Sequence, residues 1–167
     1  YRTNENLYPH QSTCCPDTAS ERPMMLKLMV DIIVRFAKHY HVDGFRFDLM
    51  GHHTVQNLAS IRKALDSLPG GSDIILYGEG WAFGSLHDKS GYLPMNQSNA
   101  AGTGVGTFND RMRDAVRGGN YMHSSLPNQG WANGLLDYFN PSNTEDGLVD
   151  ISIRRKNFEE LTDLVRL

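Results

Sequence analysis

The chain has 167 residues, 40% of them apolar and 21% charged, and its 16 basic against 19 acidic side chains leave a formal charge of −3. That length suits one domain with its own core and no need of disulfide staples. The acidic balance argues against nucleic acid as a partner, since phosphate binding needs a basic face. Seven Phe, seven Tyr and two Trp argue against a disordered chain. The composition reads as that of a soluble globular enzyme.

Residues 1–17 are polar, with Pro9, Pro16 and several Asn, and read as a loop entering the domain. The sequence starts without Met and without a basic-then-apolar leader, which reads as an internal cut. Cys14 and Cys15 are the only cysteines. Being adjacent, they are poorly placed for an unstrained bridge, so a pair of buried or free thiols is expected. Met25, Leu28, Ile32, Phe36 and Tyr40, with Met29 and Ile33 beside them, recur at three- and four-residue spacing and predict a helix. Thr18 to Glu21 has the pattern of a capping box, but Ser20 is the better cap because it leaves Pro23 in the first turn, where a missing N–H costs nothing.

From residue 42 the period changes to two, with Phe45, Phe47 and Leu49 on one side and Gly44, Arg46 and Asp48 on the other, which predicts a strand. A second helix is expected over 55–68, stopped by Pro69-Gly70-Gly71. An apolar run over 73–79 follows and ends in the carboxylate of Glu79, as buried parallel strands do. Its core, Ile74-Ile75-Leu76-Tyr77, is far shorter than the about 20 residues of a membrane-spanning helix. Residues 84–104 read as a long Gly-, Ser- and Asn-rich loop, of the kind that usually carries function. A short strand over 105–108 and a helix capped by Asn109 or Asp110 and stopped at Gly118-Gly119 come next. Residues 119–150 read as a turn-rich excursion, and Phe158, Leu161, Leu164 and Val165 mark a last helix.

Helices alternating with about three strands predict an α/β fold, a parallel sheet with crossover helices. A (β/α)8 barrel needs about 250 residues. The chain is therefore expected to be a half-barrel fragment, a partial TIM barrel, with 1–167 as a piece of one catalytic domain.

Arg46 and Asp48, two apart on a strand, project to one side, and the guanidinium favours an ionised carboxylate suited to a nucleophile. Glu79 keeps company with Tyr77, Trp81 and Phe83, an apolar setting expected to raise its pKa. On neighbouring strands about 4.8 Å apart the two acids would stand at one height, and an ionised–protonated pair is the arrangement of retaining glycoside hydrolysis. His52 and His53 with these acids do not make a metal site, because no HExxH or Cys/His spacing supports it. Gly102, Gly104 and Gly106 lack the Lys of a phosphate loop. Asn96-Gln97-Ser98 is a formal glycosylation acceptor, and the arginines of 111–117 read as a solvated helix face.

Val42-Asp43-Gly44-Phe45-Arg46-Phe47-Asp48-Leu49-Met50-Gly51-His52 resembles the nucleophile block of the α-amylase clan in its pullulanase and limit dextrinase version. Tyr77-Gly78-Glu79-Gly80-Trp81 resembles the general acid block of the same enzymes, and 102–115 resembles their next strand-to-helix segment. The resemblance covers roughly residues 8–140. It implies retaining cleavage of α-1,6-glucosidic bonds in branched α-glucans, with Asp48 as nucleophile and Glu79 as general acid. It further implies that Arg46 orients Asp48, that His52 binds sugar hydroxyls, and that Trp81, Phe83 and Asn109 line the side accepting the leaving chain. No cofactor is expected, a structural calcium is left open, and the family offers extracellular bacterial or plastid locations. Ala82 stands where many relatives carry an acid. The clan's Asn-His block and its His-Asp block with a third carboxylate are missing, His87-Asp88 being only a superficial match, so the chain alone is expected to be inactive. The alternatives are an isoamylase or α-1,4-acting relative, and a non-catalytic α-glucan-binding fragment.

Overall fold

A computed structural model describes residues 1–86, 91–119 and 130–133. It divides into two compact units, 1–108 and 109–167. The first holds helix α1 (Pro23–Tyr40), strand β1 (Gly44–Phe47), helix α2 (Val55–Asp66), strand β2 (Ile75–Gly78) and strand β3 (Gly106–Thr107).

The three strands form one parallel sheet in the order β1-β2-β3. Gly44 faces Ile75, Arg46 faces Tyr77 and Phe47 faces Gly78, while Tyr77 faces Gly106. Parallel neighbours require a crossover. Helix α2 supplies it between β1 and β2; the described part of the connection from β2 to β3 holds only a 3-10 turn, Gln97–Asn99, so no crossover helix lies there. Sheet and helices share one core built from Phe47, Met50, Leu58, Ile61, Leu65, Leu76, Met95 and Val105, joined by Ile33 and Ala37 of α1.

Helix α2 starts on a capping box: the Thr54 hydroxyl accepts the N–H of Asn57 at 3.0 Å, and the Asn57 side chain accepts that of Thr54 at 2.8 Å. The expected Ser20 cap of α1 is not formed. Arg22 is the N-cap residue, without a side-chain bond, and Pro23 opens the helix. Ser20 is spent elsewhere, for its hydroxyl donates to the carbonyl of His52 and its own carbonyl accepts from Asn57. The stripe expected on α1 is also divided. Ile33 and Ala37 are buried, whereas Leu28, Ile32, Phe36 and Tyr40 remain 44 to 62% exposed, because they lie on the flank that this core does not cover.

Strand β1 ends before the expected Leu49. Leu49 takes a left-handed backbone (φ 42°), which turns the chain into a 3-10 turn at Met50–His52 and ends the alternation of faces. The run before β2 likewise starts with a 3-10 turn, Gly71–Asp73. Cys14 and Cys15 are free and exposed. No described helix is long and apolar enough to cross a membrane.

The second unit holds helix α3 (Asp110–Arg117), capped by the side chain of Asn109, which accepts the N–H of Met112 at 2.9 Å, and ended at Gly118 with φ 84°. A 3-10 turn, Trp131–Asn133, is the other described element. The rest of the expected 119–150 excursion, the last helix and His87-Asp88 lie outside the described residues.

Candidate active site

Parallel strands deliver their C-terminal ends to one edge of the sheet, and the charged residues gather there. Arg46 is the third residue of β1, Asp48 follows its last residue, and Glu79 follows the last residue of β2. Backbone bonds lock the ends together: the Glu79 N–H donates to Phe47 at 3.1 Å and the Met50 N–H donates to Glu79 at 2.9 Å. Gly78 makes this approach possible. A Cβ there would lie 2.4 Å from the carbonyl oxygen of Phe47, a distance no side chain tolerates.

One guanidinium joins the two acids. Arg46 Nη1 donates to Asp48 Oδ1 at 2.9 Å and Nη2 to Glu79 Oε1 at 2.7 Å. The two oxygens are therefore at most about 8 Å apart, the two contacts and the width of the planar fork taken end to end. Their surroundings differ. The Asp48 side chain is 75% exposed, while that of Glu79 is 15% exposed and takes a second bond from the N–H of Leu49 at 2.9 Å. The apolar setting expected for Glu79 is thus replaced by two donors, because the strand register brings Arg46 across to it. The Arg46 guanidinium also lies over the ring of Phe108, 5.9 Å from its centroid, and Phe108 meets Tyr77 edge to face at 5.6 Å.

His52 occupies the turn after Asp48. Its ring meets Phe83 edge to face at 5.4 Å and lies so close over Gly84 that a Cβ there would fall 2.5 Å from it. Its carbonyl is clamped by Arg2 at 2.7 Å and Ser20 at 3.0 Å. Its Nδ1 is buried with no hydrogen bond, 3.9 Å from Asp17. Burial lowers the pKa of His52; Asp17 opposes this, Arg2 adds to it, and Asp48 opposes it. Burial likewise brings His53 down to about 4, helped by His52 and Arg2. Asp17 itself is buried, which opposes its charge. Bonds from the hydroxyls and N–H groups of Ser12 and Ser85 nevertheless hold it well below the usual carboxylate range.

The structure therefore brings Arg46, Asp48 and Glu79 together, and His52 against Phe83. Trp81 lies on the segment between Glu79 and Phe83, its carbonyl 2.2 Å from where a Cβ of Gly51 would stand. Asn109 belongs to the second unit, where its side chain caps α3. Arg2, Asp17 and Phe108 were not among the expected site residues. Only the aromatic at 108 had a local signal, at the end of a strand. Among the described residues no group of three His, Cys, Asp or Glu side chains could hold a metal ion. Two carboxylates on a shared guanidinium at a sheet edge form a set able to move protons and to attack an electrophilic carbon.

Fold and site thus define an α/β segment that carries two carboxylates on one guanidinium at the C-terminal edge of a parallel sheet. No protein-family model matches the chain. Among curated proteins it is 44% identical over 142 residues to pullulanase 1, chloroplastic, of Arabidopsis thaliana, covering 81% of this chain and 14% of that protein. It is 40% identical over 137 residues to the pullulanase of Klebsiella aerogenes, covering 80% of this chain and 12% of the relative. Among solved structures, pullulanase from Anoxybacillus sp. LM18-11 complexed with maltotriose superposes with a TM-score of 0.73 at 30% identity, over 99% of this chain and 20% of that one. Over four fifths of its length the chain is similar to a segment of these pullulanases, which supports a fragment of a pullulanase-type debranching enzyme. It spans about an eighth of the length of the curated relatives named here.

Proposed function

We infer that this chain is part of the catalytic (β/α)8 barrel of an enzyme that hydrolyses α-1,6-glucosidic bonds in branched α-glucans with retention. The observation that carries the reading is the Arg46 bridge between Asp48 and Glu79. Retaining glycosidases hold their carboxyl groups about 5 to 5.5 Å apart and inverting ones about 6.5 to 9.5 Å; the upper bound of about 8 Å set by the shared guanidinium admits both, and retention follows from the resemblance to pullulanases. The names of the relatives and the maltotriose in a solved neighbour support an α-glucan as substrate.

Asp48, exposed at the strand end, attacks the anomeric carbon and forms a covalent glycosyl intermediate while Glu79 protonates the leaving oxygen. Water then attacks the intermediate, with Glu79 taking its proton. When substrate fills the crevice, Glu79 exchanges its bond from Arg46 for the leaving oxygen. Arg46 stays on Asp48 and keeps it charged and aimed. Burial disfavours the charged form of His52, and its ring offers a nitrogen to sugar hydroxyls. Trp81 and Phe83 give aromatic faces to the apolar side of a glucose ring.

The test is Glu79→Gln in the full-length enzyme carrying this chain. Release of reducing sugar from pullulan is expected to fall by about 1,000-fold or more while maltotriose affinity stays within about twofold. In the unmodified enzyme the α-anomer appears first. Unchanged release, or a β-anomer as first product, refutes the assignment.

A further inference from the structure

Adjacent cysteines in extended chain point to opposite sides. In this chain they do not. Cys14 Sγ and Cys15 Sγ lie 2.7 Å apart, both residues are free, and both are exposed. We propose that Cys14-Cys15 is a redox modification site: a vicinal dithiol that closes reversibly to an intramolecular disulfide with small disulfide oxidants and captures trivalent arsenicals.

The loop holds the two sulfurs together from three directions. Gln11 and Pro16 pair as an antiparallel bridge, so the four residues between them form a closed turn. The side-chain amide of Gln11 donates across that turn to the carbonyl oxygens of Thr13 at 3.2 Å and Cys14 at 2.9 Å. At its base the turn is fixed to a rigid post. The buried carboxylate of Asp17 accepts the N–H and hydroxyl of Ser12 at 2.9 and 2.5 Å, and the Asp17 N–H donates to His10 at 2.7 Å. Ordering the turn has therefore been accomplished before the sulfurs react, which favours closure of the ring over capture of a second molecule.

The chemistry follows from the pair. Cys15 keeps its proton to higher pH than an ordinary thiol, first because it hydrogen-bonds to Cys14 and then because of the charge on that neighbour. Either thiol can open the exchange. When Cys14 does, its thiolate attacks one sulfur of an oxidant RSSR, the S–S bond breaks, and one RS⁻ leaves and takes up a proton. Cys15 then gives up its proton and attacks the Cys14 sulfur of the mixed disulfide, expelling the second RS⁻. The net change is loss of two hydrogens from the protein and formation of two RSH, with two electrons passed to the oxidant. Neighbouring Cα atoms are about 3.8 Å apart across a trans peptide, less than the about 4.4 Å at which unstrained disulfides begin. The ring is thus strained and exposed, the property of a readily reduced bond that acts as a switch and not as a staple.

The full chain is equilibrated with reduced and oxidised glutathione, quenched with acid, alkylated, digested and weighed. The expected product is one peptide with both cysteines unalkylated and two hydrogens lighter, restored by dithiothreitol. One phenylarsine oxide per chain is expected to shield both thiols from alkylation. Cys14→Ser and Cys15→Ser each leave one thiol that takes one glutathione and no longer retains the arsenical. Gln11→Ala lowers the ratio of ring to mixed disulfide by about fivefold to a hundredfold, the effect of the two lost hydrogen bonds. Two glutathiones on the pair, a dimer linked between chains, or both thiols alkylated in the presence of the arsenical would overturn the proposal. An unchanged ratio in Gln11→Ala would overturn its account of why the ring forms.

Discussion

Replacing His53 by Gln is expected to flatten the pH dependence of stability between about pH 6.5 and pH 4. Burial, with help from His52 and Arg2, lowers His53 from the ordinary 6.5 to about 4, and its Nδ1 is buried with no hydrogen bond. In this window the unfolded chain binds a proton that the folded one refuses, so stability rises with pH. The stability gained is complete above the unfolded value of 6.5 and lost as the pH falls to about 4. A pKa difference between 6.5 and about 4 is equivalent to about 3 kcal/mol at most, less whatever the partly exposed ring recovers from solvent. The assay is urea unfolding of the full chain at a series of pH values, for wild type and His53→Gln. Wild type should lose about 2 to 3 kcal/mol over the window and the variant clearly less, the remainder including His52, whose pKa burial also lowers. Glutamine forfeits no hydrogen bond at Nδ1, and the edge contact with Phe47 at 6.1 Å shifts both ends of the curve alike. Asp17 does not confuse the reading. Its pKa is lowered from 3.8, so its contribution is present above that value and is lost only as the pH falls below it. Equal slopes for the two proteins would refute the reasoning.

Two further outcomes follow from the site. Arg46→Lys replaces a two-armed fork by one ammonium that cannot span both acids, so kcat of the full-length enzyme on pullulan should fall about 10- to 100-fold. Its stability should change by less than about 1 kcal/mol, because the Arg46 and Asp48 side chains are 40% and 75% exposed; steady-state kinetics and thermal unfolding check the two halves. Gly51→Ala puts a methyl 2.2 Å from the Trp81 carbonyl and 3.2 Å from that of Phe83, so the segment after Glu79 must move by about 1 Å. A loss of about 1 to 3 kcal/mol by urea unfolding and about 100-fold in kcat is expected, and a variant as stable and active as wild type would contradict the packing.

The fold was legible wherever one local period dominated. Helix α2 follows the spacing of Leu58, Ile61 and Leu65, and β1 the alternation of Phe45 and Phe47, because these side chains meet the core directly. Errors arose where a residue answered to a distant partner. Ser20 looked like a cap, yet its hydroxyl is drawn to His52, 32 residues away. Arg2 read as part of an entering loop, yet it is 4% exposed, bonded to Glu21 and clamped on the carbonyl of His52, 50 residues away. Asp17 is tied to Ser85 across 68 residues. No window of sequence contains both ends of such a contact, so periodicity cannot reveal it.

The site shows the same division. The Arg46–Asp48 contact is local, since side chains two apart on a strand share a face, and it could be read directly. The Arg46–Glu79 contact depends on register. With Arg46 opposite Tyr77, Glu79 comes level with the residue after Phe47, and the guanidinium reaches both acids. A slip of one residue would turn Glu79 to the opposite face and leave Arg46 beside a single carboxylate. What holds the register is backbone: Gly78, with no Cβ to fend off Phe47, and the bonds that join Phe47 and Met50 to Glu79. The pairing of the acids is therefore a property of a glycine and two amides that carry no charge.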